Sequence, residues 1–317
     1  MKFKNIIKIV SLVVLLFILY QFVDVNKIIY YVKQTNGKIY ILSLFLLFPL
    51  YFFKSLRLYN ILLSQGIRYS IFNVFIIYFS SNFLGFITPG RIGEFAKIIY
   101  LKQEKNISTS KSFPPIILDR FYDLYFLVIL GILGCIYYNI LQRFNYLAYM
   151  IFCIILIFPY IFFNYRILKK ILDKLHFLKK FIKVDKFFIT YIKEIRNIIS
   201  IKQILLGFLL TSIAYSFFFA HCKFILISLS INISYINIIL IMSITNIITF
   251  LPISISGIGS RELILMFLFS SILGMEKELA ISYSVMLFIA FNLIGGVIGF
   301  IFWLIKPIEY KINKNYK

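Results

Sequence analysis

Acidic residues are scarce in this chain: 12 Asp and Glu stand against 34 Lys and Arg, and charged residues make up only 15% of 317. Soluble domains carry about 25%, so a solvated globule is excluded. Cysteine is nearly absent. Cys135, Cys153 and Cys222 lie singly within apolar segments, without metal-site or redox spacing, and read as packing residues. Two histidines, His176 and His221, are too few for a histidine cage around a metal. Also missing are a Gly-x-Ser-x-Gly elbow, a phosphate-binding loop, a His-Glu-x-x-His helix and a paired-acid loop outside the apolar runs. No cofactor and no metal is expected, and the chain does not read as an enzyme.

What is present is apolar. Hydrophobic residues reach 61% and the mean hydropathy is +0.92. Several continuous runs approach or exceed the ~18–20 residues that cross a bilayer as a helix; a β-barrel would alternate instead. The expected fold class is an all-α polytopic membrane protein, a single integral domain over residues 1–317, with full spans at about 6–23, 38–53, 117–140, 146–163, 203–227 and 279–305. The basic start and apolar run of residues 1–22 lack a small-residue cleavage site and read as a retained first span, not a removed signal peptide. Two further runs, 71–87 and 236–251, end in polar interruptions, and the pieces after them, 94–101 and 261–274, are too short to cross alone. Each is read as a re-entrant helical hairpin.

The net charge of +22 does not point to nucleic acid, because its placement follows the positive-inside rule. With both termini on the cytoplasmic side of the cytoplasmic membrane, 25 of the 34 Lys and Arg fall inside, Lys54, Arg57, Lys97, Lys102, Lys105 and Lys111 among them. The segment at about 164–202 mixes basic residues with Ile, Leu and Phe at helical spacing, as an amphipathic helix on the inner leaflet would; a solvated basic loop is the alternative. Outside, the first loop offers only Asp24, whereas lipid-linked glycosyltransferases need acids in a substantial external loop. In this topology the two hairpins enter from opposite sides. The unit 38–140 is then repeated upside down as 203–305, an inverted repeat of the kind transporters use.

The interruptions are TPGRIGEFAK (88–97) and PISISGIGSREL (252–263). Broken backbone at membrane depth survives only where protein or a water-filled cavity shields it. Gly90 and Gly93 in the first, and Gly257 and Gly259 in the second, let backbone approach a ligand closely. A helix N-terminus beside Arg91 or Arg261 makes an anion site. Pairing of these arginines with Glu94 and Glu262 alone is the competing role. Just before or inside the next span, LDRFYDL brings Asp119, Arg120 and Asp123; the two acids are four apart and share a helix face. Asp123 is expected to pair with Arg91, Arg261 or Arg120, as a gate or proton-coupling carboxylate or as a structural ion pair. Among other polar residues in apolar runs, Asn82, His221, Lys223 and Asn292 have no assigned partner. Ser243, Asn246 and Thr249 form an i+3 stripe that can face a cavity or a neighbouring helix.

TPGRIGEFAK followed by LDRFYDL, and later LPISISGIGSREL, resembles the motif segments of the flippase-like membrane domain, the transmembrane domain of lysylphosphatidylglycerol synthases. The resemblance covers roughly residues 6–306. It implies translocation of aminoacylated phospholipid between leaflets in fused relatives, where a separate soluble domain makes the lipid. The residues after Lys306 are too few for such a domain, so synthase activity is not expected. The resemblance places Gly90, Arg91, Gly93, Glu94, Asp119, Arg120, Gly257, Gly259, Arg261 and Glu262 at motif positions, whereas Pro89 and Ser256 stand where many members have a further glycine.

The expected function is translocation of an anionic or zwitterionic phospholipid, or of a polyprenyl-phosphate-linked lipid, across the cytoplasmic membrane. A secondary transporter of a small organic anion is one alternative, and a non-transporting membrane partner of a lipid- or glycan-modifying enzyme another. A homo-oligomer and a complex with such an enzyme both stay open.

Overall fold

The computed structural model describes residues 24–140, 191, 194–195, 198–250, 257 and 259–308, and of residues 89, 90 and 250 the backbone only. The expected spans at 6–23 and 146–163, nearly all of the basic segment at 164–202, and residues 252–256 of the second interruption lie outside the described residues. All regular structure in the described residues is helical. The protein is an all-α membrane protein.

Two short helices open the described chain. α1 (Val25–Lys33) is capped by Asp24, which accepts from Asn26 N at 2.8 Å, and α2 (Gly37–Phe45) by Asn36. α2 runs almost without interruption into α3 (Leu47–Ser64), giving a 28-residue apolar stretch, Gly37–Ser64. At 1.5 Å per residue that is about 42 Å, more than a bilayer core needs. α4 (Ile71–Phe86) leads into a 3-10 segment, Pro89–Phe95, and the short α5 (Ala96–Lys105). α6 (Thr109–Tyr137) carries Pro114 and Pro115 in its second turn, where each removes a donor from the carbonyl four residues before it; the Lys111 carbonyl freed in this way accepts from Gln65 Nε2 at 2.9 Å. The second half has α7 (Ile201–Ser228), α8 (Tyr235–Phe250), α9 (Ser260–Leu273), α10 (Lys277–Phe288) and α11 (Gly295–Ile305), the last two joined by a π-helical turn, Ile289–Ile294. Ile201–Ser228 and Lys277–Ile305 are, like Gly37–Ser64, long and apolar enough to cross a membrane, whereas Ile71–Phe86 and Tyr235–Thr249 are apolar but shorter.

The packing follows an exchange pattern. α3 lies along α7; α4 lies along α11; α8 lies along α6. Swapping the two halves (α3 with α7, α4 with α8, α6 with α10–α11) maps this set onto itself. Glycines permit both crossed contacts, as small residues do between membrane helices. A Cβ at Gly299 of α11 would sit 2.8 Å from the Phe79 carbonyl of α4, and one at Gly134 of α6 would sit 3.2 Å from Leu240 Cβ of α8.

The ends of the bundle are tied separately. At one, Tyr31 donates to Glu276 Oε2 at 2.7 Å, Asn36 N to the Ser228 carbonyl at 2.8 Å, and Tyr138 to Asn237 Oδ1 at 2.9 Å. At the other, Lys306 Nζ meets both Asn73 (3.2 Å), in the first turn of α4, and Glu104 (2.7 Å), in the last turn of α5. α4 and α5 therefore start and finish at one end of the bundle. Tyr138–Asn237 and Tyr31–Glu276 bring the start of α8 and the residues after α9 to the opposite end. Each half contains a helix pair, α4–α5 and α8–α9, in which a polar break follows the first helix.

Candidate functional site

The buried polar core begins on α3. Lys54 and Arg57 are three residues apart and so share a helix face, which packs against α6 and α7. Sequence reading puts both residues in a cytoplasmic loop after a span ending at residue 53. Instead the helix continues to Ser64 and Arg57 has no exposed side-chain surface. Its guanidinium reaches Asp119 at 2.7–2.8 Å, Asp123 at 2.9 Å and Thr211 Oγ1 at 2.7 Å. Lys97, also expected in the cytoplasm, is buried on α5. Its ammonium lies 3.2 Å from Asp119 Oδ2 and 3.5 Å from the centre of the Tyr78 ring. Tyr78 donates to the same oxygen at 3.3 Å. Lys54 holds the outer oxygen of Asp123 at 3.1 Å and lies over the Tyr215 ring. The expected partners of Asp123 are thus corrected: Arg57 and Lys54 take it, and Arg120 pairs with Glu94. A charge this deep persists only when paired and hydrogen-bonded, and because Asp119 and Asp123 share a helix face at i,i+4, one guanidinium bridges both acids, Nε and Nη2 to the first and Nη1 to the second.

The first break is shaped by packing. Arg91 has φ +55°, unusual for a non-glycine residue. Thr88 anchors the turn, its carbonyl accepting from Arg91 N at 3.2 Å and its hydroxyl from Gly93 N at 2.7 Å. Gly93 presses on α4, where a Cβ would collide with the Leu84 carbonyl. Its role is therefore close contact between break and helix, not the close ligand approach expected from the sequence. The 3-10 segment also separates the glycines from the start of α5, so that helix terminus does not begin at the tip. Glu94 receives Arg120 from α6 and Arg91 from the break, the latter at 3.4 Å.

In the second break Gly257 and Gly259 have φ +79° and +83°, which L side chains rarely adopt. Here α9 does start directly after the glycine, but its free amide is already used: Glu262 Oε2 accepts from Gly259 N at 2.6 Å. The other carboxylate oxygen accepts from Arg261 and from Ser284 Oγ, both at 2.9 Å, while Arg261 Nε donates to Ser284 at 3.1 Å. Ser284 on α10 thus serves Glu262 as Arg120 on α6 serves Glu94. Glu262 therefore holds both the amide before α9 and the Arg261 guanidinium.

The two breaks face one cavity of about 130 Å³. Lys54, Arg91, Arg120 and Arg261 line it with Glu94 and Asp123; Asn82, Asn246, Asn292, Thr249 and Gly257 add polar surface, and Phe86, Phe218, Met242 and Phe291 apolar walls. The π turn carries Phe291 and Asn292 to this wall. Of the remaining candidates, Asp119 lies behind the cavity wall in the Arg57 cluster, and Glu262 and Gly259 brace Arg261. Ser243 bonds its own helix at Ile239, His221 Nδ1 lies 2.7 Å from the Ser43 carbonyl, and Lys223 reaches Asn232 at 3.0 Å. These three do not line the cavity. Among the described residues no group of three His, Cys, Asp or Glu could hold a metal.

Comparison with known families decides the relationship: the model for the lysylphosphatidylglycerol synthase transmembrane region matches residues 5–299. The chain belongs to that family. No curated protein matches it. Membership of the lysylphosphatidylglycerol synthase transmembrane-region family makes this a membrane protein of a lipid-handling group, and the match spans both breaks and every residue lining the cavity.

Proposed function

We propose that this protein translocates a phosphate-bearing lipid across the cytoplasmic membrane, the headgroup passing through the cavity between the two breaks. The observation that carries this reading is the convergence of Arg91 and Arg261, one from each hairpin, on a single cavity with Lys54 and Arg120. Arginine forks match phosphate oxygens bidentately, and cations shielded from water attract an anion more strongly than they would at a surface. On this reading α4–α5 and α8–α9 are re-entrant hairpins from opposite leaflets in an inverted repeat, with both termini cytoplasmic. A site reached from either side by exchanging hairpin contacts is the plan by which such repeats alternate access.

The supporting experiment is native mass spectrometry of the detergent-extracted protein. A bound phosphate-bearing lipid should survive extraction and be lost from the Arg91→Gln/Arg261→Gln double variant. Retention of a small organic anion in place of lipid would instead favour a secondary transporter.

A further inference from the structure

Two groups of ions border the cavity, and neither is neutral. In the first, Lys54, Arg57 and Lys97 share two carboxylates, Asp119 and Asp123. In the second, Arg91 and Arg120 share one, Glu94. Arg261 is matched by Glu262. Among the described residues each of the first two groups therefore carries one cation more than it has carboxylates. Both reach the same space, the first through Lys54 and the second through Arg91 and Arg120. Burying unmatched charge is costly, and a counter-ion of opposite charge relieves it; the first group is almost wholly buried, whereas in the second the Arg91 side chain is 37% exposed. A singly charged phosphodiester offsets half of this surplus; a dianion offsets all of it.

Size narrows the choice. The cavity of about 130 Å³ is well below the ~300–1,000 Å³ of sites for drug-sized ligands, so it suits a bare phosphate better than a sugar-bearing headgroup. Arg91, Arg120 and Arg261 reach the cavity from the first break, α6 and α9, each also touching a carboxylate, with Lys54 as a point charge beside them. We infer that the cavity selects a compact dianionic phosphomonoester over singly charged phosphodiesters. The charge balance stands on these residues alone, while the attachment of that phosphate to a lipid rests on the function proposed above.

A phosphomonoester loses its second proton near pH 6, which supplies the test. The groups facing the ligand are the cations just named, Glu94 and Asp123, each held by two cations, and the Tyr51, Tyr78 and Tyr215 hydroxyls from α3, α4 and α7. Binding to the full chain in detergent micelles is measured for phosphatidic acid, phosphatidylglycerol and inorganic phosphate at pH 5 and pH 8. Phosphatidic acid should bind about tenfold tighter than phosphatidylglycerol at pH 8, and this preference should collapse at pH 5. The Lys54→Gln/Arg91→Gln variant should weaken phosphatidic acid binding at pH 8 more than phosphatidylglycerol binding; should that variant not fold, the pH dependence of the unaltered protein decides. Equal binding of the two lipids at both pH values overturns dianion selection and leaves lipid recognition standing. Tight binding of inorganic phosphate at pH 8 without either lipid supports dianion selection and overturns lipid recognition. Failure of all three ligands overturns both.

Discussion

Arg57 joins Asp119 to Asp123 from a position with no exposed surface, and removing it takes short charged hydrogen bonds from both acids, leaving Lys97 alone on Asp119 and Lys54 alone on Asp123. Loss of one member of such a cluster costs about 3–5 kcal/mol. Arg57→Met should therefore lower the melting temperature in detergent sharply, and adding Asp123→Asn should not recover the loss, because Lys54 would then lack its carboxylate partner. Arg261 differs, because Glu262 is its carboxylate partner and the arginine also lines the cavity. Arg261→Gln should destabilise the protein, and Glu262→Gln on top should restore stability but not lipid translocation; full recovery of translocation would remove Arg261 from the anion site. At this scale the sequence showed the residues of both breaks and the LDRFYDL acids, because charge inside an apolar run is costly and persists where it is paired or functional. It hid Lys54, Arg57 and Lys97. Basic residues beside a span end look like loop anchors under the positive-inside rule, and only the matching of their spacing to that of Asp119 and Asp123 signals otherwise.

The two hairpins differ in how their breaks are held, and substitutions should separate them. Gly93 abuts the Leu84 carbonyl, so Gly93→Ala should loosen the first break from α4 and reduce folded yield, read by fluorescence-detected size exclusion. Gly257 borders the cavity, and a Cβ there would meet Thr249 Cγ2 at 3.4 Å. Space is available, but φ is positive, so Gly257→Ala should fold with a modest loss of stability and a larger loss of transport. Helix existence was legible from apolar run length. Helix ends were not: α3 extends eleven residues beyond the expected limit at residue 53, to Ser64, because ion pairing inside the bundle shelters charges that hydropathy counts against a span. The π turn at Ile289–Ile294 left no trace either, since a one-residue change of helical register needs no special residue type.

For the whole molecule, the exchange pattern α3 with α7, α4 with α11 and α8 with α6 supports two halves of like design around one cavity. The charges are not shared equally between them: Asp119, Asp123, Arg57 and Lys97 belong to the first half, while Ser284 stands in the second where Arg120 stands in the first. The first half thus supplies the fixed charge and the second a lighter clamp, an asymmetry that three short motifs read one by one do not reveal. Topology is checked by membrane-impermeant cysteine labelling: a cysteine at Lys277 should react from outside and one at Lys105 should not. The central claim, passage of a lipid headgroup between the two breaks, is tested most directly in vesicles reconstituted with the purified protein and a fluorescent phosphate-bearing lipid, by quenching the dye from outside. The unaltered protein should render inner-leaflet lipid accessible within the assay, and Arg91→Gln/Arg261→Gln, folded to the same melting profile, should leave about half the dye protected, as in empty vesicles. Equal rates for the two proteins would contradict the claim.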